Sequence, residues 1–374
     1  MAGFEIRLRR ELAALEEHNL RRAPRPPSGI DLSSNDYLCL AAHPSVRRAM
    51  AEAAVREGCG STGSRLLRGE RECFRRLEAR FAAFQGAERA LYFSSGFLAN
   101  LAVLSTFPQA GDTVFSDALN HASLIDGMRL SHARRQIFAH CDTRALALRL
   151  REAGTAGQKF VVTESLFSMD GDRAPLAEYA ALCRETGAVL IVDEAHAVGI
   201  YGRRGSGLLE ESGAPALISI NTAGKALGVS GAFVAGPEWA IEYLAQKARP
   251  FIFSTAAPVP VAAALDTALT LIEHEPWRRS LLRHRARYLR QLLGMPGDSA
   301  IVPVVIGENR DALRVAEELQ QEGFDVRAIR PPSVPEGTAR LRVAVNVGIS
   351  ERTLERFAAM LVHTVKKREC VAFS

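Results

Sequence analysis

An α/β fold on a mostly parallel sheet is what the sequence predicts, and three features predict it. Short apolar runs alternate with amphipathic stretches from about Ser45 to about Ile272, the pattern of strands joined by helices. A smaller unit of strands and helices follows this region, which suggests a second domain. The chain has 374 residues, 47% of them hydrophobic, and is long enough for a large core plus an appended unit.

The elements justify this reading in order. Residues 5–22 form a charged, amphipathic helical pattern, and residues 23–29 (APRPPSG) a proline-rich linker. Strands are expected over 90–93, 113–116, 160–164, 188–193, 217–221 and 232–235. Helices are expected over 45–57, 70–84, 121–131 and 176–186. A helical stretch over 276–293 leads into the last unit. That unit reads strand 301–306, helix 311–322, strands 326–329 and 340–345, and helix 351–366. The expected division is an N-terminal segment of 1–44, a large domain of 45–272 and a C-terminal α+β domain of 273–374. No internal repeat or low-complexity tract interrupts it.

Composition narrows the function classes. The net charge is +5 and the sequence pI about 9.0, which favours anionic ligands. Nucleic acid is not expected as a partner, because there is no lysine-rich tail and no aromatic-basic platform. A phosphorylated cofactor and an acyl thioester carrier are also anionic. The six cysteines, Cys39, Cys59, Cys73, Cys141, Cys183 and Cys370, are irregularly spaced without a C-x-x-C pair. That argues against a zinc site or disulfide framework and for a reducing cytoplasm, with no metal expected. The N-terminus is charged throughout and has no apolar core of a secretory signal. The apolar stretch 250–272 contains Pro258, Pro260 and Asp266, so it reads as a loop and buried helix rather than a membrane span.

Two motifs mislead. Gly58-Cys59-Gly60-Ser61-Thr62-Gly63 matches the dinucleotide pattern G-x-G-x-x-G, but a helix precedes it where a strand is required. Asp193-Glu194-Ala195-His196 spells the DEAH of nucleotide-hydrolysing helicases, yet no G-x-x-x-x-G-K-[ST] loop exists to cradle phosphates. A G-x-S-x-G nucleophile elbow is absent as well.

The residues that carry chemistry lie at strand ends. The apolar run through Val192 ends in Asp193, with His196 three residues later. Ligands of open α/β sheets sit beyond the carboxyl ends of the strands, so Asp193 stands at a site mouth, where it could meet a metal, a ribose or a protonated ring nitrogen. A capping carboxylate is the plainer alternative. Further on, Thr222-Ala223-Gly224-Lys225-Ala226 sets one lysine in a turn of small residues. This is a plausible Schiff-base former with room beside it for a flat ring, although an isolated lysine is more often a surface residue. Ser94-Ser95-Gly96-Phe97 joins a strand to a helix start, whose free N–H groups can bind an anion or simply be capped by a serine. His121 opens a helix, a position that capping alone would explain.

Together and in this order, these strings resemble the α-oxoamine synthases, a family of fold-type I pyridoxal 5'-phosphate (PLP) enzymes. The resemblance runs from about Leu20 to the C-terminus. It is carried by Ser34-Asn35-Asp36-Tyr37-Leu38, Asn120-His121-Ala122-Ser123-Leu124, TESLFSMDGDRAPL (163–176), DEAHAVGIYGRRGSG (193–207), TAGKALGVSGA (222–232) and AIRPPSVPEGTARLR (328–342). The last string is most similar to the branch of the family that joins L-alanine to a pimeloyl thioester, a step of biotin synthesis. Two pieces depart: Ala223 stands where the family has a bulky apolar residue, and HAVG resembles the short-chain branches equally.

The resemblance implies a set of roles. Lys225 would carry PLP as a Schiff base and move the substrate's Cα proton. Asp193 would pair with the ring nitrogen, His196 and Ser168 would bond near the ring phenolate oxygen, and His121 would stack on the ring. Gly96, Phe97 and Thr222 would hold the phosphate, while Ser254 and Thr255 would reach the cofactor of the other subunit in a homodimer. Arg342 would clamp the amino-acid carboxylate, and Arg21 and Ser333 would line the acyl channel. The substrates would be L-alanine and pimeloyl-CoA or pimeloyl acyl carrier protein. The alternative within the family is glycine with acetyl-CoA or succinyl-CoA.

Overall fold

The computed structural model describes residues 2–154 and 156–371. Its strands, in chain order, are Ile30–Asp31 (β1), Arg89–Phe93 (β2), Thr113–Asp117 (β3), Arg134–Phe138 (β4), Lys159–Glu164 (β5), Val189–Asp193 (β6), Ile218–Thr222 (β7), Ala232–Gly236 (β8), Ile301–Gly307 (β9), Phe324–Asp325 (β10), Ala328–Ile329 (β11) and Ala339–Ala344 (β12). The chain forms two compact units. One comprises residues 38–168 and 172–280, the other residues up to 37, 169–171 and 281 onward.

The larger unit is organised by a seven-stranded sheet in the order β2-β8-β7-β6-β5-β3-β4. All pairings from β7 to β4 are parallel, while β8 runs against both β7 and β2. The expected mostly parallel sheet is therefore present, with one reversed strand. Strands β5 and β6, KFVVTE and VLIVD, are buried along nearly their whole length, as strands covered by helices on both faces must be. Val114, Phe160, Val162, Ile191, Ile218, Ile220 and Val234 pack in one core against Leu104, Leu124 and Leu244 of the covering helices.

Local chemistry sets the helix boundaries. Helix Glu72–Gln85 ends where Gly86 turns left-handed and donates its N–H to Ala82 and Ala83 carbonyls, and Leu176–Thr186 ends the same way at Gly187. Helix Thr143–Glu152 starts at Asp142, whose carboxylate accepts the N–H groups of Arg144 and Ala145.

In the smaller unit, β11-β12-β9 form an antiparallel sheet and β1 pairs in parallel with β10. The N-terminal helix spans Ala2–Glu17 and ends short of the expected residue 22. Asn19 adopts a positive φ of 55°, and Leu20 and Arg21 both donate to the Leu15 carbonyl, which closes the helix. Of the strand expected over 326–329 only Ala328–Ile329 (β11) forms, paired with β12; Phe324–Asp325 (β10), just before that range, pairs with β1. No helix among the described residues is long and apolar enough to cross a membrane; 250–272 instead spans a four-residue helix and the buried helix Val259–His274. No disulfide joins the described cysteines, and the side chain of Cys370 lies outside the described residues.

Candidate active site

Strands β5, β6 and β7 lie side by side and parallel, so their carboxyl ends share one edge. Their last residues are Glu164, Asp193 and Thr222. This is where an open α/β sheet presents a ligand site, and the sequence brings three polar side chains to it.

Lys225 stands three residues beyond β7 in a turn leading to β8. Ala223 N–H donates to the Gly231 carbonyl over 2.8 Å, and Gly228 N–H to the Lys225 carbonyl over 2.8 Å. Gly228 has φ +69°, and a Cβ there would lie 2.4 Å from the backbone nitrogen of Ala41, so the tight turn requires glycine. The half-buried Lys225 Nζ lies 2.7 Å from Nε2 of the buried His196.

Asp193 is 5% exposed. Its Oδ1 accepts the Ala195 N–H at 2.8 Å and its Oδ2 the Asn100 side-chain amide at 2.7 Å. The same amide donates to Ser123 Oγ at 2.8 Å, and Ser123 Oγ lies 2.7 Å from His121 Nδ1. A continuous chain therefore joins Asp193, Asn100, Ser123 and His121. His121 caps helix Ala122–Leu130, and its Nδ1 also accepts the Ser123 N–H. Desolvation holds His121 below its ordinary pKa, with Asp193 opposing and Lys225 assisting. Because Nδ1 accepts the Ser123 N–H, the neutral ring carries its proton on Nε2.

The anion cradle is at the end of β2. Ser95 caps helix Gly96–Thr106, its hydroxyl accepting the Leu98 N–H at 3.2 Å. The Gly96 and Phe97 N–H groups open the first turn, where no carbonyl one turn back can accept them. A Cβ on Gly96 would lie 2.5 Å from Thr222 Oγ1, so glycine keeps the Thr222 hydroxyl beside that helix start.

Ser168 is buried in the loop after β5, held by the Leu166–Arg173 bridge and the Phe167 N–H to Asp172 carbonyl bond of 3.0 Å. His140 braces this loop. Its Nδ1 is 2.8 Å from Asp117, its Nε2 is 2.6 Å from Asp172, and its ring meets Phe167 edge-on at 4.4 Å. Burial lowers its pKa, but the two carboxylates more than offset this and push it up to about 12, so the loop is tied down by an imidazolium. Ser254 and Thr255 lie between helices Arg249–Ile252 and Val259–His274, with Thr255 bridging to Ser64.

Arg342, Arg21 and Ser333 belong to the smaller unit. Arg342 is buried on β12, and its Nη2 donates to Asn35 Oδ1 at 2.9 Å and to the Tyr37 hydroxyl at 3.3 Å. Burial raises the Tyr37 pKa although Arg342 opposes the shift. Arg21 is exposed and paired with Glu16 at 2.8 Å. Ser333 is exposed and donates its N–H to the Arg330 carbonyl at 3.2 Å.

Lys225, His196, Asp193, His121 and Thr222 thus gather around one strand edge. The sequence reading missed Asn100, Ser123 and Glu164. Asn100 was detectable as the one amide in the apolar helix GFLANLAVLST; Glu164 was hidden inside a motif read for its serine.

The residues fit PLP. Asp193 is a buried carboxylate whose two hydrogen-bond donors are neutral, an arrangement that favours a cationic partner. Lys225 is within reach of His196, and an anion cradle completed by Thr222 adjoins. Fold and site together define the fold-type I class of PLP-dependent enzymes.

Comparison with known proteins agrees. Residues 27–361 match the model of the aminotransferase class I and II family. A protein named 8-amino-7-oxononanoate synthase in Burkholderia cenocepacia is 45% identical over 95% of this chain and 94% of its own. One of the same name in Paraburkholderia xenovorans is 48% identical over 89% of this chain and 88% of its own. A solved serine palmitoyltransferase from S. paucimobilis with bound PLP superposes with a TM-score of 0.90 at 29% identity, covering 96% of this chain and 97% of that one. The chain belongs to the aminotransferase class I and II family and, within it, to the 8-amino-7-oxononanoate synthases, which are PLP-dependent acyltransferases.

Proposed function

We propose that this chain joins L-alanine to a pimeloyl thioester, releasing CO2 and the free thiol and giving 8-amino-7-oxononanoate for biotin synthesis. The observation that carries this reading is the Lys225–His196 contact at 2.7 Å beside buried Asp193, in a chain 45% identical to proteins of that name.

PLP, when bound, supplies an electron sink for the pair of electrons left when the amino-acid Cα loses a proton or a carboxylate. Lys225 would anchor the cofactor covalently, and its Nζ is the base that would take up the Cα proton and return it. His196 lies against Nζ and keeps it aimed. Asp193, held by Asn100 and Ala195, would hold the cofactor's ring nitrogen and keep it protonated. His121, fixed by Ser123 and with its pKa lowered by burial, would pack against the cofactor. Ser168 and His196 would orient the ring oxygen, and Gly96, Phe97 and Thr222 would hold the phosphate. Arg342, preset by Asn35 and Tyr37, takes the alanine carboxylate, while Arg21 and Ser333 guide the acyl chain. Ser254 and Thr255 complete the phosphate site of a second subunit in a cytoplasmic homodimer.

The decisive experiment is steady-state turnover of the PLP-loaded protein with L-alanine and pimeloyl-CoA, set against glycine with acetyl-CoA and with succinyl-CoA. Release of free thiol and CO2 only in the glycine reactions would reject the proposal.

A further inference from the structure

Within the smaller unit, the linker after the first helix and the face of helix Asn309–Gln321 enclose an open basin of about 610 Å³. Arg21, Arg22, Arg25, Arg327 and Arg330 line it, against only Glu16 and Glu317. Its charges are unevenly matched. Arg21 pairs with Glu16, and Arg327 with Asp325 at 2.6 Å. Among the described residues Arg22 meets only backbone carbonyls, with its best bond to Pro331 at 2.7 Å, and no ion pair involves Arg25. Arg330 is 9% exposed and bonds to the carbonyls of Asn19 and Arg21, while its Nε meets no acceptor among the described residues.

A buried guanidinium crowded by two others is costly unless an anion joins them. The crowding is felt at Arg330, whose pKa is lowered first by burial and then by Arg22 and Arg25. Guanidinium groups bind phosphate oxygens through paired hydrogen bonds. The proposed reaction brings one phosphorylated substrate to this protein, the carrier of the pimeloyl thioester.

We infer that this arginine-lined basin is the site that takes the phosphate groups of the thioester's pantetheine carrier. The inference rests on the proposed pimeloyl condensation. Free CoA and phosphopantetheinyl acyl carrier protein share that phosphate chemistry, and the experiment separates them.

The test is a titration of the full-length PLP-loaded protein with CoA and, separately, with phosphopantetheinyl acyl carrier protein, by calorimetry. Wild type, Arg25→Glu, Arg22→Glu/Arg25→Glu and the milder Arg25→Gln are compared, with Arg287→Glu, at an exposed position outside the basin, as the charge control. Matched thermal melts establish that each variant is folded. The expected result is a loss of about five- to tenfold in affinity for the double variant, less for Arg25→Gln, with a shallower salt dependence and no change in the Arg287 control. Weakening with CoA makes the nucleotide carrier the ligand; weakening with the acyl carrier protein alone makes that protein the ligand. Equal affinities across all variants, equal weakening in the control, or no binding of either carrier to wild type would overturn the inference. Turnover of pimeloyl-CoA with an unchanged KM in the double variant would overturn the basin while leaving the condensation standing.

Discussion

Glu164 and Asp193 stand in register at the carboxyl ends of two adjacent parallel strands, both buried. Two neighbouring buried carboxyls do not both ionise cheaply. Asp193 receives donors on both oxygens, whereas Glu164 Oε1 has no partner among the described residues. Burial, and then the Asp193 charge, push the Glu164 pKa up to about 8. In the folded state Glu164 therefore holds its proton at a pH where the unfolded chain has released it. Stability falls as pH rises from the ordinary value of 4.5 toward about 8. Glu164→Gln is expected to remove this contribution, so its stability relative to wild type improves across that window. Urea denaturation of the two proteins at both ends of the window measures it; a difference independent of pH would refute the assignment.

Lys225 yields a covalent test. Lys225→Ala is expected to fold, to retain PLP only without a covalent link, and to lose turnover by roughly three orders of magnitude or more. Borohydride reduction followed by peptide mapping should place the label on Lys225 in wild type. A label on any other lysine would disprove its role.

Asn100 bridges Asp193 and Ser123, and through Ser123 reaches His121. Asn100→Ala leaves Asp193 Oδ2 without its side-chain donor, at an expected cost of roughly 1–3 kcal/mol in stability. Asn100→Asp should be worse, because it places another acid against Asp193. Melting temperature and the rate of PLP loss should both rank wild type, Ala, then Asp; an Asp variant as stable as wild type would contradict the network.

The sheet was legible because buried parallel strands announce themselves as unbroken apolar runs such as VLIVD. Strand β4 was not, because RRQIF is mostly polar and its side chains remain largely exposed at the sheet edge. Lys225 and Asp193 were visible because Asp193 ends a strand, Lys225 follows one, and each stands out chemically. Asn100, Ser123 and His140 act through contacts across 23 or more residues of chain, with partners at Ser123, Asp193, Asp117 and Asp172. No local pattern marks such pairs, and only the fold brings them together.

Arg342 is preset by Asn35 and Tyr37, both read earlier only as part of a motif. Arg342→Lys is expected to raise the KM for L-alanine about tenfold while leaving that for the thioester within about twofold, since a point charge cannot reproduce a planar fork. Tyr37→Phe removes the hydroxyl's bonds to Arg342 at 3.3 Å and to Asn35 Oδ1 at 3.0 Å but leaves the arginine in place, and should cost less, about fivefold at most. If the thioester KM alone rises in Arg342→Lys, the arginine serves the acyl chain.

Substrate choice is the sharpest test of the proposed function. L-Alanine with a pimeloyl thioester is expected to give the highest kcat/KM. The segment Arg330-Pro331-Pro332-Ser333-Val334-Pro335 resembles the pimeloyl branch, and its three prolines restrict the backbone beside Ser333. Val334 is 4% exposed and anchors that turn, while Ser333 remains exposed. The opposing feature is His196-Ala197-Val198-Gly199, which resembles the short-chain branches equally. Ala197 and Val198 are fully buried, however, so this string serves the core beneath Lys225 rather than an acyl surface. A few methylenes in an apolar channel discriminate by about 1–3 kcal/mol. The preference for pimeloyl-CoA over succinyl-CoA should therefore be roughly tenfold or more, and not absolute. Kinetics with three thioesters, each paired with L-alanine and with glycine, give six values of kcat/KM to compare. A higher value for glycine with either short thioester would leave the PLP site intact and remove the pimeloyl assignment.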